Sequence, residues 1–387
     1  MLFDFDTPIS RENTNSVKFD GRKHYFGTKD VTPLWVADMD FAVPECVTRA
    51  LQERINHPVL GYTLYPECLY QSIIDWFERR HNWKIERDWI VMAPGVVPSL
   101  FAAVQAFAKE GEGVIVQPPV YFPFFSAVTT NNRKLILNPL SEVNGRYEID
   151  FAHLESCAQQ GATLLMLCTP HNPVGRVWTE RELQEVLRIA RKYDLTILSD
   201  DIHADLVYSE SNHIMLGRLA QPGDKIITAI APNKTFNIPG LGLSALVIPD
   251  VAQRKAMKQV FESLHVGNSN PFSIAAFEAA YREGDAWLTA LMQYLEVTRD
   301  YVAGYLQNNI PQIKMIKPEA TYLLWLDCRD LGMSDAQLRD FFVKQCKVGM
   351  NPGIVFGEAG SGFMRMNIGA PKIIIEKCMT LIFEKIF

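Results

Sequence analysis

Short apolar runs rich in β-branched residues alternate with amphipathic stretches through the middle of the chain, the pattern of strand–helix units built around a mostly parallel sheet. Predicted strands fall at 114–117, 134–137, 163–168, 196–199, 226–229 and 244–248. Apolar residues recurring every three or four positions predict helices over 99–109, 180–193, 251–264 and 286–308. Beyond the last of these the pattern restarts, with strands at 314–316 and 321–326, a helix over 335–346, a strand near 363–367 and a final helix from 371. The expected architecture is α/β: a large doubly wound unit followed by a smaller α/β unit, with the boundary near 285–290.

Composition narrows the function classes. Of the 387 residues 48% are hydrophobic and 21% charged, which excludes disordered and fibrous chains and leaves an ordinary globular one. Its 38 basic residues against 44 acidic give a net charge of -6, so neither nucleic acid nor an anionic membrane surface is an expected partner. No run approaches the roughly 18 apolar residues that span a bilayer. Asp4 and Asp6 interrupt the place where a secretory signal needs its apolar stretch. Seven cysteines without a CxxC pair fit a reducing compartment, and the cytoplasm is the expected location.

Ligands of parallel α/β sheets sit beyond the carboxyl ends of the strands, so the polar and Gly/Pro-rich segments there are the candidates. In APGVVPSLF, Gly95 opens a turn and Pro98 suits a first helical position, offering free N–H groups to a phosphate. A ligand-free helix cap has the same pattern. In CTPHNPVGRVW two prolines and Gly175 force irregular backbone beside Asn172, a donor and acceptor; an ordinary turn does the same. TILSDDIHADL delivers Asp200, Asp201 and His203 together. Without a second His at ligand spacing these suit a cationic ligand better than a metal, and no metal site is expected. Lys234 lies in the loop of APNKTFNIPG between two apolar strands, where lost hydration makes an amine nucleophilic; a solvated lysine is the plainer alternative. Gly240-x-Gly242-x-x-Ala245 imitates a dinucleotide fingerprint but precedes a strand, which discounts it. In GFMRMNIGAP, Arg365 alternates with apolar residues and suits either a carboxylate ligand or a structural acid.

In their order, NTNSVKFD, PLWVADMDF, GYT, PGVVPS, PPVYFPF, TPHNPVGRVW, SDDIHADL, NKTFNIPGL and MRMNIGAP resemble the landmarks of fold-type I pyridoxal-phosphate enzymes, and among them the MalY/PatB-like cystathionine β-lyase (C-S lyase) family. The resemblance spans nearly the whole chain. It implies an aspartate aminotransferase-like fold in which 1–45 joins a small domain at 288–387 and 46–287 binds the cofactor, pyridoxal 5'-phosphate. It implies that Lys234 holds the cofactor covalently and is the catalytic base, and that Asp200 keeps the pyridine nitrogen protonated. A carboxylate about 4 Å from a pyridinium is worth about 4 kcal/mol at an effective dielectric of 20. By the same resemblance Asn172 and His203 reach the ring's phenolic oxygen, Tyr121 stacks on the ring, and Gly95, Val96 and Val97 form the phosphate loop. Tyr62 reaches that phosphate from the other subunit of a homodimer with a shared active site. Arg365 binds the substrate's α-carboxylate and Trp35 lines the substrate pocket. The chain departs from the pattern at Asn233, where a small hydroxyl residue is expected, at Asp201 for Glu and at Phe19 for Trp.

The implied activity is α,β-elimination on an amino acid carrying sulfur at its β-carbon, giving thiol, pyruvate and ammonia. An aminotransferase shares every step up to loss of the α-proton, and the catalytic residues do not separate the two. A cofactor-bearing regulatory or interaction protein is the alternative of another class. No basic arm or helix-turn-helix extension accompanies the fold, which disfavours DNA binding.

Overall fold

Seven strands make the central sheet of the computed structural model, which describes residues 3–387. They are β1 Ile90–Ala93, β2 Gly113–Val116, β3 Lys134–Leu137, β4 Ala162–Cys168, β5 Thr196–Asp200, β6 Ile226–Ile230 and β7 Ser244–Val247. Their order is β1-β7-β6-β5-β4-β2-β3, parallel throughout except for β7, which runs antiparallel to both neighbours. Every residue of β1, β2, β5, β6 and β7 is buried. Helices cover both faces, so these strands are continuously apolar instead of alternating.

A second sheet follows the 25-residue helix Asp285–Asn309. Strands β8 Lys314–Ile316, β9 Leu323–Asp327, β10 Asn351–Pro352 and β11 Phe363–Asn367 pair antiparallel in the order β8-β9-β11-β10. The amino-terminal segment packs onto this smaller unit. Thr32–Pro33 pairs parallel with Val348–Gly349, and Asn367 Nδ2 donates to the carbonyls of Val36 and Asp38.

Helix Glu180–Tyr193 begins and ends where its pattern predicts. Thr179 and Glu182 form a reciprocal capping box, and Leu183, Val186, Leu187, Ile189 and Ala190 bury one face. Elsewhere the structure corrects the sequence reading. The helix expected from 99 starts at Val96, so Pro98 is its third residue, still a position whose N–H needs no intrahelical partner. The strand expected from 321 starts at Leu323, because Thr321 sits at φ 72°, outside extended backbone. The helix expected over 335–346 is α-helical only for Asp335–Asp340 and continues as a π turn over Phe341–Gln345. Strand β1 and helices Glu45–Ile55, Glu67–His81 and Pro271–Glu283 were not anticipated.

Candidate active site

The carboxyl ends of β4, β5 and β6 converge on one cavity of about 250 Å³, lined by Gly95, Val96, Val97, Tyr121, Asn172, Asp200, His203 and Lys234, and closed on one side by Ala37. Sequence reading had assigned all of these residues to the site except Ala37. Gly95 precedes helix Val96–Phe107, no side chain among the described residues caps that end, and its first residues, Val96 and Val97, line the cavity.

Asp200 ends β5 and Asp201 follows it. Successive side chains of an extended chain point to opposite sides, and the two carboxylates part accordingly. Asp201 accepts from Ser199 Oγ at 2.5 Å and pairs with His213 Nε2 at 2.9 Å, away from the cavity. Asp200 faces the cavity with a single hydrogen bond, from Ile202 N at 3.3 Å. Burial, with Asp201 adding to it, pushes its carboxyl up to about 7. His203 is buried with Nδ1 unpartnered. Burial, helped by the charges of Lys234 and Arg365, pushes it down to about 3, so it is a neutral imidazole.

Lys234 sits in the turn after β6, and that turn is tied on both sides. Thr235 Oγ1 donates to Asp205 at 2.8 Å, a buried carboxylate that also holds His81 and Trp76. Asn237, at φ 57°, bonds through its side chain to Met39 N, Met39 O and Phe41 O. Lys234 Nζ donates to the Ala37 carbonyl at 2.6 Å. Burial lowers the amine to about 8, with Arg365 contributing in the same direction while Asp38 and Asp200 oppose it.

Arg365 projects from β11 and lies one hydrogen bond beyond the cavity wall. It donates to Asn172 Oδ1 at 3.0 Å, Asn351 Oδ1 at 2.8 Å and the Trp35 carbonyl at 3.0 Å, and its plane lies over Phe356. Its Nε has no partner, and among the described residues no carboxylate is within ion-pair distance. Burial lowers it to about 10. A buried cation without an anion is costly, so the plainer expectation of a structural acid for this arginine is overturned. Trp35 meets the site through its carbonyl; its indole donates to Lys18 O and packs on Tyr25 and Phe26.

Tyr62 lies apart from this cavity, wholly exposed on an arm with Val59, Leu60 and Leu64. Sequence reading missed Ala37, which lies within the PLWVADMDF landmark, and Asn351 and Phe356, whose segments carry no local signature of a site.

Residues 29–376 match the family described as aminotransferase class I and II. The chain is 41% identical to cystathionine β-lyase PatB of Bacillus subtilis, over 94% of this chain and 95% of that protein. It is 32% identical to the protein MalY of Escherichia coli over 97% of each. The crystal structure of cystalysin from Treponema denticola, which contains a pyridoxal 5'-phosphate cofactor, superposes with a TM-score of 0.97 at 36% identity, covering 100% of this chain and 99% of that one.

Proposed function

The chain belongs to the class I and II aminotransferase family, in the cystathionine β-lyase branch with PatB and MalY, and from that premise we propose that it cleaves the β-carbon–sulfur bond of cystathionine or related cysteine conjugates with pyridoxal 5'-phosphate. The cavity fits that cofactor. Asp200 is a buried carboxylate held by one hydrogen bond and lacks a cation such as a pyridinium; the uncapped helix end at Val96 and Val97 suits a phosphate. The unpartnered His203 Nδ1 and Asn233 Oδ1 are further polar atoms awaiting a ligand.

When bound, the cofactor supplies an aldehyde that condenses with amines and a ring that withdraws electrons from the substrate's α-carbon. The chain's residues do the rest. Lys234 is the amine that would retain the cofactor between turnovers, and its Nζ would take the substrate's α-proton. Its lowered basicity leaves a usable fraction neutral near physiological pH. Asp200 would hold the ring nitrogen protonated, Asn172 and His203 would offer it polar contacts, and Tyr121 would pack against the ring. Arg365 receives the substrate's α-carboxylate while Asn172 and Asn351 keep its guanidinium in place. The bond from the β-carbon to sulfur breaks with its electron pair leaving as thiolate, and water hydrolyses the three-carbon enamine to pyruvate and ammonia.

The observation that carries this reading is Arg365, a buried cation with no carboxylate of its own, beside a cavity that also holds Lys234 and Asp200. We infer further that two copies assemble so that Tyr62 reaches the partner's phosphate site. The same reading puts the enzyme in the cytoplasm, in keeping with seven cysteines that are all free thiols. Among the described residues no helix is long and apolar enough to cross a membrane.

Purified protein with added pyridoxal phosphate and cystathionine is expected to release pyruvate and thiol in equal amounts without a keto acid, and Lys234→Ala to abolish both. Turnover that depends on an added keto acid would assign it to amino transfer instead. A Lys234→Ala variant with undiminished pyruvate release would remove Lys234 from its role.

A further inference from the structure

The Ala37 carbonyl accepts two hydrogen bonds: one from Lys234 Nζ at 2.6 Å and one from the Tyr322 hydroxyl at 2.9 Å. The neighbouring carbonyls of this segment are occupied elsewhere, Trp35 by Arg365 and Val36 and Asp38 by Asn367. Tyr322 is buried and stands at the start of β9, immediately after Thr321. Thr321 is a buried β-branched residue at φ 72°, a conformation that costs about 1–3 kcal/mol and persists only where the surroundings impose it. They do: Thr321 N donates to Leu206 O at 2.7 Å, and its Oγ1 accepts from Leu323 N at 3.1 Å. The preceding Ala320 N donates to Gly175 O at 3.1 Å. Leu206 and Gly175 belong to the loops that follow β5 and β4, so the strain is imposed by the two loops that also carry His203 and Asn172.

We propose that Tyr322 is a positioning residue for Lys234, its phenol aimed by the strained backbone of Thr321 so that it holds the Ala37 carbonyl as the acceptor for the lysine amine. Two donors on one oxygen fix the carbonyl's direction. With one N–H committed to that oxygen, the amine's lone pair is restricted to two directions. A phenyl ring in place of the phenol fills the same space but leaves the carbonyl held on one side only. Burial, with the negative charge of Asp38 acting in the same direction, makes the phenol far less acidic than usual, so it remains a donor at every working pH.

This inference rests on the reading of Lys234 given above, and the experiment separates the two. In the reconstituted holoenzyme, Tyr322→Phe is expected to lower kcat about three- to tenfold, the worth of one neutral hydrogen bond. KM should stay within about twofold, the visible cofactor absorbance should persist, and the pH midpoint of that absorbance should move. Thr321→Gly, which accepts φ 72° without strain but loses the Oγ1 acceptor of Leu323 N, is expected to lower kcat in the same direction. Wild-type kcat and absorbance midpoint in both variants, alongside an inactive Lys234→Ala, would overturn the positioning role and leave the lysine's own role standing. An active Lys234→Ala would overturn both.

Discussion

Arg365 and Asp200 are opposite charges whose environments pose the same question, since each is buried and neither has an ion-pair partner among the described residues. Charge-assisted contacts are typically worth about 1.5–3 kcal/mol, so Arg365→Leu is expected to lower kcat/KM roughly ten- to hundredfold, mostly through KM, as steady-state pyruvate release measures. Asp200 makes a prediction about stability. Its carboxyl in the fold titrates at about 7, above its ordinary value of 3.8, so the folded chain holds this proton more tightly than the unfolded chain. The group therefore favours folding below pH 4, and that contribution is lost as pH rises to 7. In cofactor-stripped protein Asp200→Asn is expected to melt at a higher temperature than wild type at pH 8, with the difference narrowing as pH falls and closing below pH 4. Thermal melts of the two proteins across that range check it; equal melting temperatures at pH 8 would mean the carboxylate is satisfied without a ligand. With cofactor restored the order in function reverses, because the amide has no charge to oppose a pyridinium.

At the scale of elements, the site is made by where strands stop. Asp200 is the last residue of β5, and β4 ends at Cys168, four residues before Asn172. The loop between β4 and helix Glu180–Tyr193 is fastened by Arg176, which pairs with Glu182 and Glu319 and donates to the Tyr147 carbonyl. Gly175 is the tight point of that loop. It lies at φ 72°, and a Cβ there would stand 2.5 Å from Pro318 Cβ and 2.9 Å from Pro318 Cα. Gly175→Ala is expected to cost at least the 1–3 kcal/mol of a left-handed alanine, about 2 kcal/mol or more with the clash, and to weaken substrate binding through Asn172. Urea unfolding and KM measured on the same variant test both parts; a stability change below about 0.5 kcal/mol would show that the loop relaxes freely.

For the whole molecule, the exposed arm is the feature a single chain leaves unexplained. Val59, Leu60, Tyr62 and Leu64 are all exposed on one short stretch, and apolar surface so concentrated marks a place of contact. Sedimentation equilibrium is expected to give twice the 43.9 kDa of one chain, and Leu64→Asp to shift the mass toward the single chain and reduce activity with it. A single-chain mass for a fully active wild-type enzyme would remove Tyr62 from the site.

The architecture was legible in the chain because buried parallel strands need continuous apolar runs and amphipathic helices need a repeating stripe. Both are local patterns, and helix 180–193 with its capping residues is the clearest case. Lys234, Asp200, Asn172 and Arg365 were legible as candidates, because each sits at or near a strand in a segment whose composition is unusual by itself, and the family resemblance supplied the roles expected of them. What the chain by itself could not disclose were relations between distant segments. Examples are the Ala37 carbonyl under Lys234, the Asn351 amide on Arg365, and the left-handed Thr321 that shortens β9. A hydrogen bond joining residues nearly 200 positions apart leaves no periodicity in either segment, and a backbone angle imposed by neighbouring loops contradicts the residue's own preference. Local pattern decided the elements and offered the candidate groups; only the packing of one segment against another decided which partners those groups have, because burial and distance are properties of the folded chain.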